Sequence, residues 1–157
     1  MRNFASAVDV PALILDVPGR LGNLGNPYSH RLEHRGNVSE LSDTIFAQQR
    51  AIKLTPNGHI DMPARLNNLG VSFLCRFERT GDLSDLSEAI TTKQSAVRLT
   101  PNDHFEMSRR SGSLGYSFQR RFEHTGDISD LKEAISYKQR AVQLTPDGQV
   151  PGHTGKA

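Results

Sequence analysis

The chain has 157 residues, of which 36% are apolar and 23% charged, enough to bury one modest core and too little polar bias for general disorder. Its 19 basic and 17 acidic residues nearly cancel to a net charge of +2, which gives no electrostatic footprint for nucleic acid. A single cysteine, Cys75, excludes an internal disulfide and a four-cysteine metal site, and no apolar run approaches the roughly 18 residues of a membrane span.

The N-terminal apolar stretch Val8–Val17 is interrupted by Asp9, Pro11 and Asp16, a poor secretory signal. The expected location is therefore the cytoplasm, with no membrane partner. Residues 1–9 read as the stub of an earlier helix. From Pro11 onward one period governs the chain. Pro11, Asp16 and Pro18 stand 45 residues before Pro56, Asp61 and Pro63. Thr55-Pro56 returns as Thr100-Pro101 and Thr145-Pro146 at the same spacing of 45. Leu24-Gly25, Leu69-Gly70 and Leu114-Gly115 repeat, as do Gly36, Gly81 and Gly126. A period of roughly 20–50 residues marks a stack of like units. The units are 10–54, 55–99 and 100–144, with a flexible tail over 145–157 and disorder expected from 148.

Each unit reads as two helices. In the middle unit Leu66, Leu69, Gly70, Phe73 and Phe77 line one helical face, which predicts helix A over about 62–79. Asp61 is its expected N-cap and Pro63 suits the first turn. Thr80-Gly81 ends it. Asp82 opens helix B, with Asp85 three residues on, and Asn37/Glu40 and Asp127/Asp130 repeat that arrangement. Leu83, Leu86, Ala89, Ile90, Ala96 and Val97 form the apolar side of helix B, which Pro101 stops. The first unit carries Pro27 inside its expected helix A, which predicts a kink or a late start. The expected fold is all-α: a right-handed superhelical stack of three antiparallel hairpins, six main helices in all.

The hairpin resembles the tetratricopeptide repeat. Leu69-Gly70-Val71-Ser72-Phe73 followed by Gly81, then Ala89, Ala96 and Pro101, matches the family pattern, and Ala134, Ala141 and Pro146 repeat its end. Thr44 replaces the first alanine in the first unit, and Gln48, Lys93 and Lys138 stand where the family has a large residue. The family period is about 34 residues, and the additional ones here lengthen helices A and B by about one turn each. The long-period form looks like the tandem arrays of fungal proteins that lie beside CHAT protease or NTPase domains.

The resemblance implies a scaffold that binds a protein or peptide in a concave groove lined by helix A, without enzymatic activity, cofactor or metal. The groove positions flank the Leu-Gly pair. Asn23 and Asn68 precede it, with Ser113 at the third equivalent. Asn26, Val71 and Tyr116 follow it. An asparagine amide offers both donor and acceptor to a peptide backbone. Asn26, Asn68 and Arg109 match part of the family's carboxylate clamp, while Gly22 and Ser113 replace its basic residues. Arg120, at the place of His30 and Cys75, completes the candidate set. These residues equally suit a solvated polar face. The other reading is a truncated regulatory array of a CHAT-protease or NTPase protein. Self-association through uncapped ends is a further expectation.

Three more groups draw the eye. His59 and His104 occupy equivalent loops, but two histidines without a third ligand make a weak metal site. Arg31-x-Glu33, Arg76-x-Glu78 and Arg121-x-Glu123 read as a solvated charged edge. Cys75 reads as an inert surface thiol.

Overall fold

A computed structural model describes residues 37–145, and among them there are helices and no strands. The five helices are α1 (Val38–Lys53), α2 (Met62–Thr80), α3 (Leu83–Arg98), α4 (Met107–Thr125) and α5 (Ile128–Gln143). The expectations for residues 1–9, for the Pro27 kink, for Asn23 and Asn26, and for the tail from 148 lie outside the described residues.

The helix bounds obey the sequence period. α2 and α4 begin 45 residues apart and both have 19 residues. α1, α3 and α5 also begin at steps of 45, with 16 residues each. Consecutive helices pack on one another, most closely within the hairpins α2/α3 and α4/α5.

Local chemistry sets these bounds. Asn37 and Glu40 form a reciprocal capping box: the Glu40 N–H donates to Asn37 Oδ1 and the Asn37 N–H donates to Glu40 Oε1, each at 2.9 Å. Asp82 and Asp127 accept from the N–H groups of Ser84 and Ser129, also at 2.9 Å. Gly81 closes α2 at φ 76°, in the left-handed region where a side chain would strain the backbone. Two residues past the end of each B helix stands a threonine whose hydroxyl donates to the carbonyl four residues back: Thr55 to Ala51 at 2.7 Å, Thr100 to Ala96 at 2.6 Å, Thr145 to Ala141 at 2.8 Å. The proline that follows cannot extend the helix.

The core is the shared face of these helices. Ile45, Leu69, Phe73, Phe77, Leu86, Ala89, Ile90, Val97, Met107, Leu114, Phe118 and Ala134 are buried in it. Each fully buried Leu or Phe removes about 1.5–3 kcal/mol worth of side chain from water. Among the described glycines, Gly70 has the least room for a side chain. A Cβ there would lie 2.6 Å from Lys93 Cγ, 2.9 Å from Thr92 Oγ1 and 3.2 Å from the Ala89 carbonyl oxygen. Thus the Leu-Gly and Ala landmarks are two sides of one contact, in which small residues let the backbones of a hairpin meet.

Four expectations are corrected. Asp61 precedes α2 but makes no side-chain cap; its own N–H donates to His59 Nδ1 at 3.1 Å. Leu83, expected on the apolar face, is exposed because it sits in the first turn, ahead of the packed stretch. Asp85 and Asp130 do not cap their helices. They are buried and take the guanidinium groups of Arg76 and Arg121, so that charged edge is a pair of inter-helix clamps. Cys75 is buried, not superficial.

Candidate functional site

The candidate groove residues within the described range lie on α2 and α4, apart from the helix B faces. Asn68 is half-buried near the start of α2, and Tyr116 is half-buried on α4. Ser113, the equivalent of Asn68, is buried, as is Val71, the equivalent of Tyr116. Ser113 thus sits in the seam between units, where its carbonyl faces Lys93.

Arg109 is exposed and forks onto Glu106: Nε donates to Oε1 and Nη2 to Oε2, both at 2.8 Å. Arg120 ties the two A helices together. Its Nε and Nη2 donate to the Glu78 carboxylate at 2.9 Å, and Nη1 donates to Glu123 at 2.8 Å. These bonds hold the Arg120 guanidinium above its ordinary range. The Arg120 guanidinium also lies 5.9 Å from the centre of the Phe77 ring. Neither arginine presents a bare cation; an incoming carboxylate would exchange with Glu106 or Glu78. Exposed pairs of this kind contribute about 1 kcal/mol or less, so exchange is inexpensive.

The seam between α3 and α4 holds the feature that sequence reasoning missed. Lys93 is fully buried. Its methylene stem crosses Gly70, and its ammonium donates to Ser117 Oγ at 2.9 Å and to the Ser113 carbonyl at 3.4 Å. A long stem with a polar tip fills the position where the resembled family has a large residue. Burial pulls the Lys93 amine down to about 7, partly opposed by the nearby Cys75. Burial likewise pushes the Cys75 thiol up to about 12, so the nucleophilic thiolate is suppressed. The equivalent Lys138 is exposed and bonds Gln119 on α4. The equivalent Gln48 is buried, with its amide atoms unpartnered among the described residues.

Two further features recur with the period. His59 and His104 each accept, at Nδ1, the N–H two residues on, at 3.1 Å. That bond organises the loop into the next A helix. Among the described residues no group of three or more His, Cys, Asp or Glu could hold a metal ion. Beside these histidines, Ile60 and Phe105 are almost fully exposed on equivalent loops. The 45-residue spacing was the available signal for that apolar pair.

None of the described helices is long and apolar enough to cross a membrane. Compared with known proteins, the chain matches no protein-family model, no curated protein and no solved structure.

Proposed function

We propose that the chain is a tetratricopeptide-like interaction scaffold, a right-handed stack of hairpins that holds a peptide segment or partner domain along its A helices. The observation that carries this reading is the common 45-residue step of every helix boundary. Equal steps set equivalent side chains at regular intervals, which suits an extended ligand. α2 and α4 are bridged side by side through Glu78 and Arg120, leaving Asn68, Tyr116 and Arg109 with solvent access on them. On this reading Asn68 grips peptide backbone and Arg109 takes a carboxylate released from Glu106. Asn23 and Asn26 extend the surface on the first unit.

The experiment is capture on an array of immobilised peptides, comparing the parent chain with Asn68→Ala and Arg109→Ala. The reading requires peptides bound by the parent and weakened in both variants. A parent that captures nothing, or variants that bind as well as the parent, overturns it.

A further inference from the structure

The α4/α5 hairpin exposes the surface that its predecessor buries. Ile90 is 3% accessible on α3, while the equivalent Ile135 on α5 is 48% accessible. Val97 is 6% accessible and the equivalent Val142 is 64% accessible. Leu86 and Phe77 are fully buried, whereas Leu131 and Phe122 are half-exposed. The difference has one source: α4 lies on the α2/α3 hairpin, and no described residue lies on α4/α5 in the same way. The molecule itself thus shows what fits this face, namely a segment patterned like α4.

That pattern occurs once more in the chain, outside the described residues. Val17, Arg20, Leu24, Gly25, Tyr28 and Leu32 stand 90 residues before Met107, Arg110, Leu114, Gly115, Phe118 and Phe122. The bond that Arg110 Nη1 donates to Thr100 Oγ1, 2.7 Å long, has a ready counterpart in Arg20 and Thr145. Three buried positions of α4 change type: Leu21, Asn23 and Pro27 stand 90 residues before Ser111, Ser113 and Ser117. Pro27 stands where Ser117 receives Lys93, but Lys138 is bonded to Gln119 on α4 and does not require a hydroxyl from across the seam.

We propose that the α4/α5 face receives segment 17–35 of a second copy of this chain, so that the protein associates head to tail. The contact is heterologous. It does not use up the complementary faces at the two ends of a pair, so association is open-ended. It does not rest on the peptide-binding reading: segment 17–35 also carries Asn23 and Asn26, but the docking pattern is made by Val17, Arg20, Leu24, Gly25, Tyr28 and Leu32.

Sedimentation velocity on the full chain, from micromolar to near-millimolar, tests the proposal. The parent is expected to form progressively larger species. Ile135→Glu breaks one face and Leu24→Glu the other, so each variant alone should remain monomeric. An equimolar mixture should form dimers and nothing larger, because each chain then keeps one intact face. Should circular dichroism find Leu24→Glu unfolded, Arg20→Glu replaces it, reversing a charge and removing the bond to Thr145. A parent that stays monomeric at every concentration overturns the proposal, as it would if residues 146–157 covered the face of their own chain. Continued association of the folded Leu24→Glu or Arg20→Glu variant overturns it too, indicating a symmetric α5-to-α5 pair.

Discussion

Lys93 occupies the space that a side chain on Gly70 would need, its Cγ lying 2.6 Å from an added Cβ. The glycine, the lysine stem and the Ala89 backbone form one close-packed contact inside the α2/α3 hairpin. At the equivalent Gly115 an added Cβ meets Lys138 Cγ at 3.0 Å and the Ala134 carbonyl oxygen at 3.2 Å. Here the lysine is exposed, held only at its tip by Gln119.

Gly70→Ala and Gly115→Ala should therefore differ in effect. Overpacking at Gly70 is expected to cost about 1–3 kcal/mol, since Lys93 is held on every side. At Gly115 the strain is smaller, and alanine's helical preference over glycine, about 1 kcal/mol, largely offsets it. Urea unfolding of the two variants checks the asymmetry. Equal losses would contradict it.

Burial of Lys93 ties stability to pH. Its folded-state value of about 7 lies below the ordinary 10.5, so between those values the unfolded chain binds the extra proton. Stability should rise with pH across that window. Cys75 acts oppositely: raised from 9.0 to about 12, it makes stability fall with pH above about 9. The parent should therefore become more stable from pH 7 to 9 and level off above it. Lys93→Met should remove the rise while raising stability most at pH 7 and below. Thermal melts across the pH series decide this.

The Arg76–Asp85 clamp should respond unequally to its two truncations. Arg76 is 25% accessible at its side chain and Asp85 only 5%. Arg76→Met strands a buried carboxylate, an expected loss of about 1–3 kcal/mol. Asp85→Ala leaves a guanidinium that water and Ser42, 2.9 Å from Arg76 Nη1, can still serve, so its loss should be smaller. Denaturant midpoints for the two variants give the comparison.

Asn68→Ala should weaken peptide capture about fivefold, the value of roughly one neutral hydrogen bond. Its half-exposed position predicts no drop in melting temperature. A drop in melting temperature with capture unchanged would place Asn68 in the packing instead.

Helix bounds were legible because their punctuation is local. Asn37, Asp82, Asp127, Gly81 and the Thr-Pro pairs announce themselves within a few residues. The apolar spacing of Phe73, Phe77, Leu86 and Ile90 likewise gave the core. What escaped the sequence depends on the neighbouring helix. Cys75 and Arg120 share one position in the repeat, yet the first is buried and the second spans to Glu78. Lys93 and Lys138 share another, with opposite exposure. Periodicity assigns a side chain to a face but not to whatever lies across from it. For the same reason the pairing of Arg76 with Asp85, nine residues away around a turn, read as surface charge.

The common step of the helix boundaries has a consequence for how such a chain changes length. Residues 55–99 begin and end at the same phase, with a Thr-Pro pair at their start and another immediately after. An in-frame duplication of that segment would join two borders the chain already contains. The new junction would place Leu99 before Thr55-Pro56, as it now stands before Thr100-Pro101. Recombination between units could thus add or delete whole hairpins without requiring compensating substitutions at the joint.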